Sequence, residues 1–395
     1  DLSGVLYKKL SKWCVEFVIK YFNLNLMEGS REKPNIIIFG GCGFIGRNLI
    51  EYLITNDLVA IVRVVDKVPP QVAWLSKQHQ IAFNDSRVDF KSANLIMPGS
   101  CESAFVDENF DYAVNCACET KLGQTEPVYR EGVYKVSVNC ATAAAKHGVK
   151  RYIEISSGQM ASSEKVSHKE SDPTEPWTVI AKFKLQVENQ LKNIPGLKYT
   201  VIRPAIIYGV GDRHGLAPRL VLGAIYQHLG ECMKLLWSRD LVMNTVHVQD
   251  VARAIWYLSL CEKAEQQVYN LADESNSTQG SVTDIISDIF DINHDFYGNI
   301  LSTLRKNDLG NVVDEVNDKH LAPWAEACRL SEVENTPLSP YIHQELLDKK
   351  HLHLNTNKLK DSGFICTIPV LNKQLLQEVV QDYIDMKIFP KLLLT

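Results

Sequence analysis

The sequence lacks any Cys-x-x-Cys pair, and several of its ten cysteines lie in apolar runs, as Cys116 and Cys118 do. Zinc ribbons and thioredoxin-type redox motifs are therefore excluded. A reducing, cytoplasmic environment is expected for such scattered thiols. Basic residues are not in excess either, because 42 lysines and arginines stand against 47 aspartates and glutamates. This balance argues against a nucleic-acid partner.

What the sequence does contain is typical of a globular protein with a small-molecule site. Of its 395 residues 45% are apolar and 23% are charged, which is close to the average for soluble domains. The length suits two or three domains, or one large α/β unit. Repeats and low-complexity tracts do not occur.

Residues 1–34 are expected to be an N-terminal extension, for which two interpretations stay open. Apolar residues recur at helical spacing among lysines up to Leu26, which predicts a basic amphipathic helix. Alternatively, Met27 is the natural start and residues 1–26 lie upstream of it. In either case charges interrupt the apolar positions, so no transmembrane segment is predicted.

Short apolar runs alternate with amphipathic stretches over residues 35–208, which predicts a doubly wound parallel sheet covered by helices on both faces. The predicted strands are 35–39, 60–65, 87–90, 112–115, 151–155 and 199–202, and the main helices are 45–54, 133–146 and 181–191. Residues 209–395 are expected to form mainly a smaller α/β substrate domain. Its predicted elements are helices at 219–229, 251–260 and 374–387, strands at 244–248 and 267–271, and a further helix with Ser281 as its N-cap. The weakly periodic stretch 307–350 is interpreted as an insertion or lid.

A glycine motif follows the first predicted strand. Gly40, Gly43 and Gly46 are spaced Gly-x-x-Gly-x-x-Gly, with Phe44 and Ile45 between the last two. Such glycines allow a tight strand-to-helix turn and bring bare backbone close to a pyrophosphate at a helix N-terminus. Asp66 ends the second strand, where a carboxylate accepts bonds from ribose hydroxyls and repels a 2′-phosphate. The motif therefore predicts NAD, with NADP less favoured.

The glycine spacing and several later motifs resemble those of the extended short-chain dehydrogenase/reductases, the NAD-dependent epimerase/dehydratase family. The resemblance implies a Rossmann fold and adds cofactor contacts from Asn94, Leu95, Cys116, Ala117 and Asn139. The motifs Arg203-Pro204 to Tyr208-Gly209 and His247 to Asp250 also match. A nucleotide sugar or a similar hydroxyl or keto compound is the implied substrate, with Arg203, Tyr208 and Arg219 as candidate contacts. A homodimer is common in the family.

The catalytic region departs from the family pattern. There a tyrosine four residues before a lysine removes a substrate proton, a serine polarises the same oxygen, and the lysine binds the nicotinamide ribose. Ser157 matches the serine, but no tyrosine precedes either lysine of Trp177-Thr-Val-Ile-Ala-Lys-Phe-Lys184. Pairing Lys182 with Thr178, or Lys184 with Ile180, leaves a weak acid or no acid at all. The function is therefore interpreted as an epimerase/dehydratase-type oxidoreductase with an atypical site or, alternatively, a non-catalytic NAD(P)-binding regulator or scaffold.

Other polar residues have structural interpretations. His247 is expected to pack near the core, and Asp250 is expected to cap or anchor a helix beginning at Val251. His351 and His353 have no third ligand nearby in the sequence, so no metal site is predicted.

Overall fold

The computed structural model describes residues 33–160, 165–299, 302–303 and 309–394. The N-terminal residues 1–26, for which the sequence left two interpretations open, lie outside this part. No helix within it is long and apolar enough to cross a bilayer.

Seven parallel strands form the central sheet, in the order β10-β6-β5-β4-β1-β2-β3. Because the order reverses beside β1, crossover helices cover both faces, which confirms the predicted doubly wound fold. The strands are β1 Asn35–Phe39, β2 Ile61–Asp66, β3 Val88–Ser92, β4 Tyr112–Asn115, β5 Arg151–Ile155, β6 Tyr199–Pro204 and β10 Gln267–Leu271. Each predicted strand of the sheet is present, with ends that shift by no more than two residues.

Helices and short strands surround this sheet. The helices are α1 Phe44–Thr55, α2 Lys77–Phe83, α3 Pro98–Ser103, α4 Glu126–Tyr129, α5 Val136–Lys146, α6 Val179–Leu191, α7 Ala217–Leu229, α8 Val248–Leu260, α9 Gln279–Phe290, α10 Leu309–Leu330, α11 Asn357–Asp361 and α12 Lys373–Asp385. Two further pairs of parallel strands are β7 Ile206–Tyr208 with β9 Thr245–His247, and β8 Met233–Leu235 with β11 His294–Phe296. A π-helical segment, Arg130–Lys135, joins α4 to α5.

The apolar core has two principal parts. Buried Ile and Val residues of the sheet pack against α1 and α8 on one face, and against α5 and α6 on the other. A separate cluster joins α7, α9, α10 and α12 through large side chains that include Phe290, Trp324 and Tyr383. Helix α12 therefore contributes to the core of the C-terminal half rather than lying on the surface alone.

Several predicted boundaries were wrong. Helix α9 begins after Thr278, whose side chain accepts from Ser281 N while Ser281 Oγ accepts from Thr278 N, so Ser281 belongs to a capping box instead of being the N-cap. The polar stretch 307–350 contains the long helix α10, which its weak periodicity did not predict. The predicted helix 133–146 starts earlier, at α4, because the π-helical segment breaks the regular spacing of its apolar residues.

The two polar residues near α8 are both buried and have structural roles. His247 caps the helix, accepting a bond from Gln249 N, and its pKa is lowered to about 4 by burial. Asp250 is fully buried and accepts bonds from the backbone N–H groups of Thr367 and Ile368, both at 2.8 Å. Asp250 thus anchors the segment before α12 to α8 and does not cap the helix.

Candidate functional site

The turn from β1 into α1 has the shape that the glycine motif predicts. Gly40 has a φ of 72°, and a Cβ at this residue would lie 2.5 Å from Ala117 N. Only glycine fits a backbone that is both left-handed and this close to another chain segment. No side-chain hydrogen bond caps α1 at Gly43, so its first N–H groups are left for a ligand. An anion bound here would also gain from the helix dipole.

Gly46 has a different role from the other two glycines. A Cβ on Gly46 would lie 2.5 Å from the Cα of Gly41, so its small size lets α1 pack closely against the turn. It does not line the cavity in front of the turn. Its contribution to cofactor binding is therefore to shape the turn.

Asp66 closes the other side of this site. Its carboxylate accepts bonds from Cys42 N at 3.1 Å and from Val68 N at 3.0 Å. Burial raises the pKa of Asp66, although these backbone N–H groups oppose the shift. The carboxylate therefore faces the cavity at the end of β2, where the ribose of a dinucleotide would lie.

A cavity of about 2330 Å³ begins at this turn and extends into the C-terminal half. This volume exceeds the range of roughly 300–1,000 Å³ that is usual for one small ligand. The candidate residues that line it are Gly40, Gly43, Phe44, Ile45, Asp66, Asn94, Leu95, Cys116, Ala117, Ser157, Thr178, Lys184 and Arg219. The fold thus assembles most of the predicted site in one cavity with room for a cofactor and a second molecule.

Besides Gly46, four candidates do not line this cavity. Asn139 donates from Nδ2 to the carbonyls of Leu95 and Ile96, so it fixes the adjacent loop. Tyr208 is fully buried, with its ring edge-on to His247. Lys182 is exposed and lies away from the cavity. These placements do not support direct contacts with the cofactor or substrate.

Arg203, the fourth, forms a buried ion pair. Its guanidinium donates to both carboxylate oxygens of Glu188, at 3.0 and 2.6 Å. Ser156 also donates to Glu188. The arrangement ties β6 to α6, because a guanidinium and a carboxylate match in a two-bond geometry. Arg203 therefore has a structural role here.

Lys184 is the lysine that reaches the cavity floor, and it has an acidic partner. Its Nζ lies 2.9 Å from Glu154 Oε1, and both side chains are almost completely buried. Burial alone would lower the pKa of Lys184, but the opposing charge of Glu154 raises it above its ordinary value. Lys184 is thus a charged, fixed group at the cavity floor.

Glu154 is held by three further donors. Ser137 Oγ donates to Oε1 at 2.9 Å, while Asn115 Nδ2 and Tyr152 OH donate to Oε2 at 2.9 and 2.8 Å. With these partners the lone pairs of the buried carboxylate are satisfied by hydrogen bonds. Sequence reasoning missed Glu154. The available signal was an acid inside an apolar strand whose two faces are both covered.

Ile180 occupies the position one helical turn before Lys184, and both residues line the cavity. Thr178 is the N-cap of α6, accepting from Ala181 N and donating to Gln159 Oε1. The threonine hydroxyl is therefore engaged in the structure of the helix start. The geometry favours the pairing of Lys184 with Ile180 and provides no proton-accepting side chain at that position.

Ser157 and Trp177 provide polar groups in the cavity wall. Ser157 Oγ accepts a bond from Gln159 N at 3.1 Å, which leaves its O–H free to donate. Trp177 Nε1 is a buried donor without a partner among the described residues. Both groups suit a ligand that brings oxygen acceptors.

Two cysteines that line the cavity, Cys116 and Cys118, are not suited to act as nucleophiles. Burial raises the pKa of Cys116 to about 12 and also raises the pKa of Cys118. The thiols are therefore protonated near neutral pH and act as small apolar groups. Within the described ranges, no cluster of three or more His, Cys, Asp or Glu side chains is arranged to hold a metal ion.

Comparison with known proteins gives a consistent result. The model of the NAD dependent epimerase/dehydratase family matches residues 36–272, which is more than half of the chain. UDP-glucose 4-epimerase of Vibrio cholerae is 25% identical over 249 residues, covering 58% of this chain and 72% of that protein. The decarboxylating sterol-4-alpha-carboxylate 3-dehydrogenase of Candida albicans is 26% identical over 240 residues, covering 57% of this chain and 64% of that protein.

The fold also matches solved structures over most of its length. The crystal structure of Thermus thermophilus UDP-glucose 4-epimerase in complex with NAD superposes with a TM-score of 0.63 at 19% identity. The match covers 88% of this chain and 98% of that chain. At this identity the similarity concerns the fold.

Proposed function

Because the chain belongs to the NAD-dependent epimerase/dehydratase family, we propose that it binds NAD and transfers hydride to or from a carbon that bears a hydroxyl or keto group. The observation that carries this proposal is that the glycine turn, Asp66, Lys184 and Ser157 all border one cavity. The family resemblance favours a nucleotide sugar as the substrate. One relative is by name a nucleotide-sugar epimerase and the other a sterol dehydrogenase.

The residues present fit the cofactor. The uncapped start of α1 would bind the pyrophosphate, and Asp66 would accept bonds from the adenosine ribose hydroxyls. Lys184 would bind the nicotinamide ribose with its ammonium, fixed in place by Glu154. When bound, NAD supplies the hydride acceptor or donor that the side chains lack.

Ser157 would orient the substrate. Since its oxygen already accepts from Gln159 N, its hydroxyl would donate to the substrate oxygen and polarise it. Ile180 accepts no proton, so the substrate proton must leave through a water molecule or another group of the cavity. This is the respect in which the site is atypical.

Ser157→Ala is expected to lower kcat by about 10²–10³-fold, as removal of one donor to a reacting oxygen does in other enzymes. NAD affinity should stay unchanged. The measurement is NADH absorbance with a panel of nucleotide sugars and hydroxysteroids. Ser156→Ala is the matched control, because Ser156 bonds to Glu188 instead. An equal loss of activity in both variants would contradict the role of Ser157.

Asp66→Asn is expected to weaken NAD binding about 10–100-fold, because a bond to a charged acceptor contributes about 1.5–3 kcal/mol. The preference for NAD over NADP should decrease as well, since the repulsion of a 2′-phosphate is lost. Isothermal titration calorimetry with both dinucleotides measures this. Asp89→Asn, in the neighbouring strand β3, is the control. An unchanged NAD affinity of Asp66→Asn would show that Asp66 does not bind the adenosine ribose.

A second function, that of a non-catalytic NAD-binding regulator or scaffold, is favoured by one specific observation. The tyrosine position holds Ile180, and the charge of Lys184 is already balanced by Glu154. NAD binding without turnover on any substrate of the panel would support this alternative. The homodimer and the cytoplasmic location stay predictions.

A further inference from the structure

One face of α7 extends the cavity well beyond the cofactor site. Arg219, Leu222 and Tyr226 all line the cavity, and their spacing places them on the same side of the helix. At 1.5 Å per residue this face is about 10 Å long. The cavity therefore includes a second chamber, defined here as the space between this face of α7 and helix α10.

The walls of the second chamber contain both apolar and polar side chains. Val313 and Val316 of α10 and Met233 of β8 line the cavity opposite α7. The charges of Lys319 and Glu231, which also border the chamber, are paired with each other. His320, which hydrogen-bonds to Tyr226 OH at 3.2 Å, also lines the chamber. An apolar ligand body placed against the three apolar side chains would be removed from water, which is favourable.

Three exposed apolar side chains border the cavity, beside exposed charged ones such as Lys234 and Glu315. Leu321, Tyr341 and Leu346 line the cavity and are also exposed, by 39%, 41% and 46% respectively. Large apolar side chains grouped on a surface beside a cavity are typical of a binding site for an apolar ligand. These exposed apolar side chains favour entry of an apolar molecule.

Arg219 supplies a positive charge at the end of the chamber that lies near the reacting groups. Within the described part of the chain its one hydrogen bond goes to Met243 Sδ, at 3.5 Å, and burial lowers its pKa to about 10. Met243 forms a backbone β-bridge with Leu352, and the Leu352 side chain lies beside Gly158, the residue after Ser157. These contacts connect Arg219 with the side of the cavity that contains Ser157. A half-buried guanidinium without an acidic partner among the described residues is suited to bind an acidic ligand group.

We propose that the substrate is an apolar hydroxy or keto acid. Its oxygen-bearing carbon would lie near Ser157, its acidic group would bind Arg219, and its apolar body would fill the second chamber. This inference rests on the proposed function for the reaction but concerns binding, which is measured separately. A nucleotide sugar offers phosphates to Arg219, but its sugar and base are less suited to the apolar side chains of the walls.

The test compares four ligands by calorimetry on the NAD-saturated chain: 3-hydroxydodecanoate, dodecane-1,3-diol, 3-hydroxybutyrate and UDP-glucose. We expect 3-hydroxydodecanoate to bind at least about tenfold more tightly than the uncharged diol, as a charged hydrogen bond implies. The short acid should bind at least about 100-fold more weakly, because each buried methylene contributes about fourfold in affinity. Tighter binding of UDP-glucose than of 3-hydroxydodecanoate would overturn the proposal.

Substitutions test which residues bind the acidic group and the apolar body of the ligand. Arg219→Gln should make the acid and the diol bind equally, whereas Arg329→Gln, on the exposed part of α10, should keep the preference for the acid. Tyr341→Ser with Leu346→Ser should weaken both long-chain ligands at least tenfold, and the exposed control Ile365→Ser should not. A preference for the acid that persists in Arg219→Gln would overturn the proposal.

Titration of each variant with NAD separates this proposal from the proposed function. Normal NAD affinity shows that a variant is folded and that its cofactor site is intact. Failure of the unmodified chain to bind NAD would refute the proposed function. Normal NAD binding together with no preference for the long-chain acid would refute only the substrate class.

Discussion

Gly40→Ala is expected to destabilise the chain by about 2–5 kcal/mol and to abolish NAD binding. An alanine at φ 72° costs about 1–2 kcal/mol in backbone conformation. Its Cβ would also lie 2.5 Å from Ala117 N and 2.6 Å from Ala117 Cα. Relief of such overpacking costs a further 1–3 kcal/mol or so, because backbone must move. The movement would displace the start of α1, where the pyrophosphate binds.

Urea unfolding and NAD calorimetry measure the two effects. Gly99→Ala is the matched control, since Gly99 lies in α3 and a Cβ there would meet no atom within 4 Å. That variant should be stabilised by about 0.5–1 kcal/mol, because alanine is the better helix former. Gly40→Ala with unfolding energy and NAD affinity close to those of the unmodified chain would contradict the cofactor geometry described here.

Glu154→Gln is expected to destabilise the chain by about 3–5 kcal/mol, because it leaves the buried ammonium of Lys184 without its counter-charge. The pair is separated by 2.9 Å and is almost inaccessible to solvent, so water cannot replace the missing partner. Lys184→Met should be destabilising by a similar amount, as it leaves the Glu154 carboxylate unpaired.

The double variant distinguishes an interacting pair from two independent losses. Glu154→Gln combined with Lys184→Met should be less destabilised than the sum of the single variants by at least about 1 kcal/mol. Urea unfolding provides all four free energies of the cycle. Strict additivity would contradict a coupled pair.

The residues that form the cofactor side of the cavity could be predicted from the sequence because they lie close together along the chain. The turn at Gly40, the uncapped start of α1 and Asp66 at the end of β2 all lie within two strands and one helix. Parallel strands end at the same edge of the sheet, so adjacent motifs meet in space without further information. The assignments that the geometry does not support, such as direct ligand contacts for Asn139 and Arg203, concern polar residues whose observed partners come from other elements of the fold.

The substrate side of the cavity depends on contacts between distant segments, which the spacing of residues in the sequence does not predict. Nothing in the sequence near Arg219 indicates that its neighbour is Met243 rather than an acid, or that α10 faces α7 across a cavity. The lysine register was likewise open until the burial of Lys184 and the exposure of Lys182 were known. Long-range packing chooses the partners of such side chains, and similar local patterns fit several arrangements.

The sequence by itself determined the parallel sheet, the glycine turn and the absence of a tyrosine before either lysine, since periodicity and residue type are properties of the chain alone. The tertiary structure decided which lysine reaches the cavity, that Glu154 is its partner and that a second chamber lies beyond Arg219. The physical reason is that burial and charge pairing depend on which distant segments come together.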